Sequence, residues 1–144
     1  MILLIVAGGL LAIYSRVSPQ ITAEERLRKF EKAMGADDFG GKTPEETLKM
    51  FVAALRAGDV EQASRLFLLD ENLSRDKWAT ALSKLKNEDR ISDLINDLAS
   101  VKPAPSEKTH EGDAKFYIYK DSNVDGLVNL ELNKLSDVWK LESF

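Results

Sequence analysis

Residues 43–69 spell two short amphipathic helices separated by one glycine–aspartate joint, a pattern that makes the chain fold back or kink sharply. Thr43 offers a hydroxyl to the free amides of a first turn, and Pro44 sits where no N–H is needed. Glu46 stands three residues on, placed to close a capping box. Leu48, Phe51, Val52 and Leu55 then recur at the spacing of one buried helical face. Gly58 ends the run, because glycine enters the left-handed region without a side-chain clash. Asp59 caps the next helix, with Gln62 three residues later and Val60, Ala63, Leu66 and Phe67 as its apolar stripe.

Downstream, Ser74 opens a further helix carrying Trp78, Leu82 and Leu85, and Asn87-Glu88-Asp89 interrupts it. Ile91, Leu94, Ile95 and Leu98 resume the helical spacing. Pro103, Pro105 and Gly112 make residues 101–112 a loop. From there the periodicity changes to alternation. Residues 114–120 and 128–133 read as half-buried strands, Leu135-Ser136-Asp137 turns the chain, and residues 138–144 close a meander. Helices first and antiparallel strands last is the α+β pattern. The expected fold is therefore an N-terminal apolar helix and linker, then helices packed on a three- or four-stranded antiparallel sheet.

Upstream of the hairpin the chain changes character twice. Residues 1–14 carry no charge, and Tyr14 and Arg16 at their end suit a membrane interface. The run is shorter than the roughly 20 apolar residues of a full span. Three readings stand: a signal-peptide core, a single-span anchor, and a buried helix of a soluble protein. The anchor reading makes residues 1–17 a membrane tether. Residues 18–41 follow as a charged helix and a glycine-rich linker. The helix is capped by Thr22, and Ala23, Leu27, Phe30 and Met34 form its narrow apolar stripe. Residues 42–144 are then the folded domain. The basic residues from Arg16 to Lys32 argue for a cytoplasmic domain by the positive-inside rule, whereas an exported anchor would carry lysines ahead of Ile2.

Composition narrows the chemistry. The 144 residues carry a net charge of −4 with no basic segment, which disfavours nucleic acid as a partner. No cysteine is present, so thiolate nucleophiles, disulfides and cysteine-bound zinc are excluded. His110, the single histidine, lies in a proline-rich polar loop and reads as solvated. No serine occupies a Gly-x-Ser-x-Gly elbow and no glycine run forms a phosphate loop. Asp37/Asp38 and Glu45/Glu46 are accounted for by a linker and a cap. Asp121, Asn123, Asp125 and Gly126 match the first half of a calcium loop, but Leu132 stands where the bidentate glutamate belongs. A polar turn between strands is the favoured account of that stretch. Trp78, Trp139, Phe116, Tyr117 and Tyr119 are candidate pocket walls, with core packing as the default. No catalytic, cofactor-binding or metal-binding residue is assigned.

The run Thr43-Pro44-Glu45-Glu46, Phe51, Ala54-Leu55, Ala57-Gly58-Asp59 and Ala63 resembles the opening of small bacterial domains of the nuclear-transport-factor-two-like (cystatin-like cone) superfamily. Val138-Trp139-Lys140-Leu141 resembles the last strand of the same group. The resemblance implies a curved antiparallel sheet wrapped round helices and leaving a cone-shaped pocket, often behind a membrane anchor. The chain departs from it in having three strands by pattern, where the family has four or more. It also has a more helical stretch over 74–99, and no acidic, histidine and tyrosine set that maps into the cone. The helix pair also resembles a tetratricopeptide unit, but no second copy follows at that period. The expected function is that of a membrane-tethered, non-enzymatic binding or interaction domain. It would lie outside the cytoplasm and take an unknown protein or a small apolar ligand, without a cofactor. A small enzyme with its site in the cone and a structural subunit of an envelope assembly or filament are the alternatives.

Overall fold

A computed structural model describes residues 21–105 and 110–144. The apolar N-terminal segment expected over 1–17 lies outside the described residues. Among those described, five helices and a four-stranded antiparallel sheet make an α+β fold. The helices are α1 (Ala23–Ala36), α2 (Pro44–Arg56), α3 (Val60–Ser64), α4 (Asp76–Asn87) and α5 (Ile91–Ala99). The strands are β1 (Lys102–Pro103), β2 (Asp113–Lys120), β3 (Asn123–Asn133) and β4 (Val138–Ser143), in that spatial order. No helix among the described residues is long and apolar enough to cross a membrane.

The helix hairpin forms as its caps dictate, with two differences. The Thr43 hydroxyl accepts the Glu46 N–H, but the Glu46 carboxylate takes the N–H of Lys42 rather than closing back on Thr43. Gly58 adopts φ 67° and Asp59 accepts the Gln62 N–H at 3.0 Å. The second helix is only five residues long. Leu66 and Phe67 lie beyond it because that backbone is taken by β4: Leu141 N–H donates to Leu66 O, and Leu68 N–H to Leu141 O. The outer edge of the sheet is thereby covered.

The core lies between this hairpin, α4, α5 and the inner face of the sheet. Phe51, Leu55, Leu66, Phe67 and Leu82 meet Phe116, Val128, Leu130 and Leu141 there. Phe67 stacks on Trp78 at 4.2 Å and meets Phe51 edge-on, and Phe144 covers the group from the C-terminus. These side chains fill the centre of the space between helices and sheet. At the opposite edge, Lys102 and Pro103 pair with Tyr117 and Phe116, a short strand inside the stretch expected to be loop. Proline and lysine on so short an edge discourage further pairing.

The glycine-rich stretch read as a linker is bound to the domain. Gly41 bridges Trp139 on the same outer edge of β4, its N–H donating to Thr47 Oγ1 at 2.9 Å. The Thr47 hydroxyl donates onward to Trp139 O at 2.8 Å. A side chain at Gly41 would stand 2.5 Å from Glu46 Cβ, so glycine is there for close approach and not for flexibility. Thr47 is fully buried. Thr47→Val, which keeps the shape and removes the hydroxyl, is expected to cost about 2 kcal/mol by leaving Gly41 N–H and Trp139 O without their partner. Thr47→Ser is expected to cost less. Urea unfolding of the two variants compares them.

Candidate functional site

An apolar groove of about 460 Å³ opens between α2, the end of α5 and the β1 edge of the sheet. Its wall on α2 is Leu48, Val52 and Ala53, positions that share one side of the helix. Leu98 from the last turn of α5, Val101 and Pro103 form the facing wall, and Phe116 of β2 adds a buried aromatic surface. The apolar stripe of α2 is thus wider than the core requires. Phe51 and Leu55 point into the core, while Val52 remains half-exposed in the groove. Glu45, Lys49 and Arg56 stand on the rim. Among the described residues neither Lys49 nor Arg56 forms an ion pair. The volume falls in the range of pockets that hold small ligands, and its few polar groups sit at the margin.

A second gathering of chemically capable groups is buried. Lys140, on β4, is fully buried and donates to Asp37 Oδ1 at 3.0 Å, Phe39 O at 2.7 Å and Arg65 O at 2.5 Å. The other oxygen of Asp37 accepts from the Arg75 guanidinium, whose Nε also donates to Phe67 O at 2.6 Å. Burial pulls the Lys140 ammonium down from its ordinary 10.5 to about 8, against the opposing pull of Asp37. Burial likewise lowers Arg75, again opposed by Asp37. Every ammonium proton of Lys140 has an acceptor, so the arrangement ties the α1–α2 connection, the end of α3 and β4 together.

The residues singled out from the sequence scatter. His110 is exposed in its loop. Asp121 and Ser122 form a two-residue hairpin turn with φ 50° and 67°, joining Lys120 to its partner Asn123. Asp125 is the extra residue of a bulge opposite Ile118 and Tyr119, and its carboxylate lies 3.3 Å from Lys120 Nζ. The calcium-loop pattern is therefore hairpin and bulge chemistry, and no group of three metal-binding side chains occurs among the described residues. Phe116 alone of the candidate aromatics lines the groove. Trp78 and Trp139 pack against the core, while Tyr117 and Tyr119 meet edge-on with ring centres 6.3 Å apart. Asp37, assigned to a linker by composition, is instead the shared counter-ion of the buried Lys140 and the half-buried Arg75. Nothing in sequence spacing links it to Arg75 or Lys140. Comparison with protein-family models, with curated proteins and with solved structures returns no match to this chain.

Proposed function

We propose that the chain is a membrane-tethered, non-enzymatic binding domain outside the cytoplasm, taking a small apolar ligand with an anionic end in the groove beside α2. The groove carries the reading: an apolar trough with Phe116 in its lining and two cations, Lys49 and Arg56, on its rim. An aliphatic or aromatic body would bury against Leu48, Val52 and Leu98, and the anion would stay at the wet margin between the two cations. The uncharged run over 1–14 supports the tether.

A dansyl-labelled medium-chain fatty acid added to the full chain in mild detergent is expected to bind saturably with a blue-shifted emission. Val52→Glu, which puts a carboxylate on the apolar wall, is expected to weaken binding at least about tenfold. Lys49→Glu with Arg56→Glu is expected to weaken the acid but not its methyl ester. Saturable binding indifferent to Val52→Glu, or none at all, would discard the groove. For the tether, the full chain is expected in the membrane fraction and a version starting at Ser18 in the soluble one. Recovery of both as soluble protein would remove the anchor.

A further inference from the structure

Helix α1 stands apart from the packing described above. None of its residues is buried: Leu27 is 56 % exposed, Ala23 is exposed, and Phe30 and Met34 are half-buried. Among the described residues its C-terminal end alone is tied to the domain by hydrogen bonds, through Asp37 and through Asn133 Nδ2–H donating to Met34 O at 2.8 Å. A 14-residue helix with no buried face is marginal in water, even with the Thr22–Glu25 capping box that starts it. Helices of this kind draw their stability from packing an apolar face on a partner.

The sequence of α1 describes that partner. Ala23, Leu27, Phe30 and Met34 are spaced four, three and four apart, the alternation of a two-stranded coiled-coil seam. Ala23 and Phe30 take position d, and Leu27 and Met34 take position a. The flanking positions are then Arg26 at g and Glu31 at the following e, with Glu24 at the preceding e. In a parallel pair each g residue faces the e residue five places on in the other helix, so Arg26 of each copy meets Glu31 of the other. An antiparallel pair would instead set Glu24 against Glu31. Neither Arg26 nor Glu31 forms an ion pair among the described residues, whereas Glu24 is within 3.8 Å of Arg28 on its own helix. We propose that α1 is a self-association helix that pairs in parallel with α1 of a second copy of this chain. Its anchored C-terminal end would fix the direction of the two attached domains relative to the seam.

Because the chain lacks cysteine, single introduced thiols report proximity without interference. Under mild oxidation of the full chain in detergent, Leu27→Cys at the seam is expected to cross-link. Lys32→Cys, on the far side at position f, is expected to remain monomeric. In the Leu27→Cys background, Glu31→Arg is expected to lower the dimer yield about fivefold by setting two arginines together on each side. Adding Arg26→Glu is expected to restore it. The rescue isolates α1 from any association of the apolar N-terminal residues, which carry neither charge. Equal cross-linking at both thiols, or a yield that ignores Glu31→Arg, would overturn the proposal. A rise in yield with Glu31→Arg would indicate the antiparallel pair and overturn the parallel one. Shielding of the Leu27→Cys thiol by anionic vesicles without any cross-link would assign the face to a membrane surface and overturn both.

Discussion

Asp37→Asn is expected to destabilise the fold by about 3–5 kcal/mol, because it leaves the buried Lys140 and the half-buried Arg75 with no counter-charge between them. Lys140→Met should cost clearly less, since Asp37 then keeps Arg75 and loses only one of two cations. That order separates a charge effect from simple loss of contacts, as methionine deletes three hydrogen bonds and asparagine only one, its NH2 replacing one of the two acceptor oxygens. The pH dependence follows from the lysine. Below about 8 it is charged in both the folded and unfolded chain, so the net cost of holding it charged, about 3 kcal/mol for the shift from 10.5 after the offsetting pull of Asp37, is fully present. Between about 8 and 10.5 the unfolded chain holds the extra proton, and stability rises with pH relative to Lys140→Met. In Asp37→Asn the lysine loses its proton at lower pH still. The gap from wild type should therefore narrow as pH climbs toward 8 and stay constant above it. Urea unfolding from pH 6 to 10 measures all of this. A gap below about 1 kcal/mol, or one independent of pH, would show the cluster to be neutral packing.

Why this cluster escapes the sequence is physical. Helical and alternating periods report which face of an element is apolar, and they place α2, α5 and the meander to within a few residues. They are silent about a lysine whose neighbours Trp139 and Leu141 already account for β4. They are equally silent about an aspartate in a run of glycines. Lys140 and Asp37 are brought together only because Gly40 and Gly41 let the chain lie flat along the β4 edge, where a Cβ on either would collide with backbone. Glycine-rich composition reads as flexible linker, and here it serves close approach. The early end of α3 has the same origin: the stripe of Leu66 and Phe67 is real, but β4 claims that backbone for its edge. The groove was half legible. Val52 belongs to the apolar stripe of α2, yet nothing local shows that α5 and β1 leave it uncovered. Caps and turn glycines, in contrast, act within four residues and are read directly.

Phe67→Ala is expected to cost about 3–5 kcal/mol, the range for truncating a fully buried aromatic ring. The position joins the helical half to the sheet by two routes. Its backbone bridges Leu141 on β4, and its ring lies between Trp78 of α4 and Phe51 of α2. Alanine preserves the bridge and removes the ring, so the cavity left behind is walled by two helices that the bridge still holds in place. Incomplete collapse of such a site puts the cost toward the upper end of the range. Phe144→Ala is the comparison. That ring touches the same three aromatics but is 36 % exposed at the chain end, so about 1 kcal/mol is expected. In a Trp139→Phe background, Trp78 is the single emitter, and loss of its stacked neighbour should also weaken the near-ultraviolet circular dichroism. If Phe67→Ala cost no more than Phe144→Ala, the ring would be one contact among many. The joint between hairpin and sheet would then rest on the β4 bridge and on the polar ties of Thr47 and Lys140.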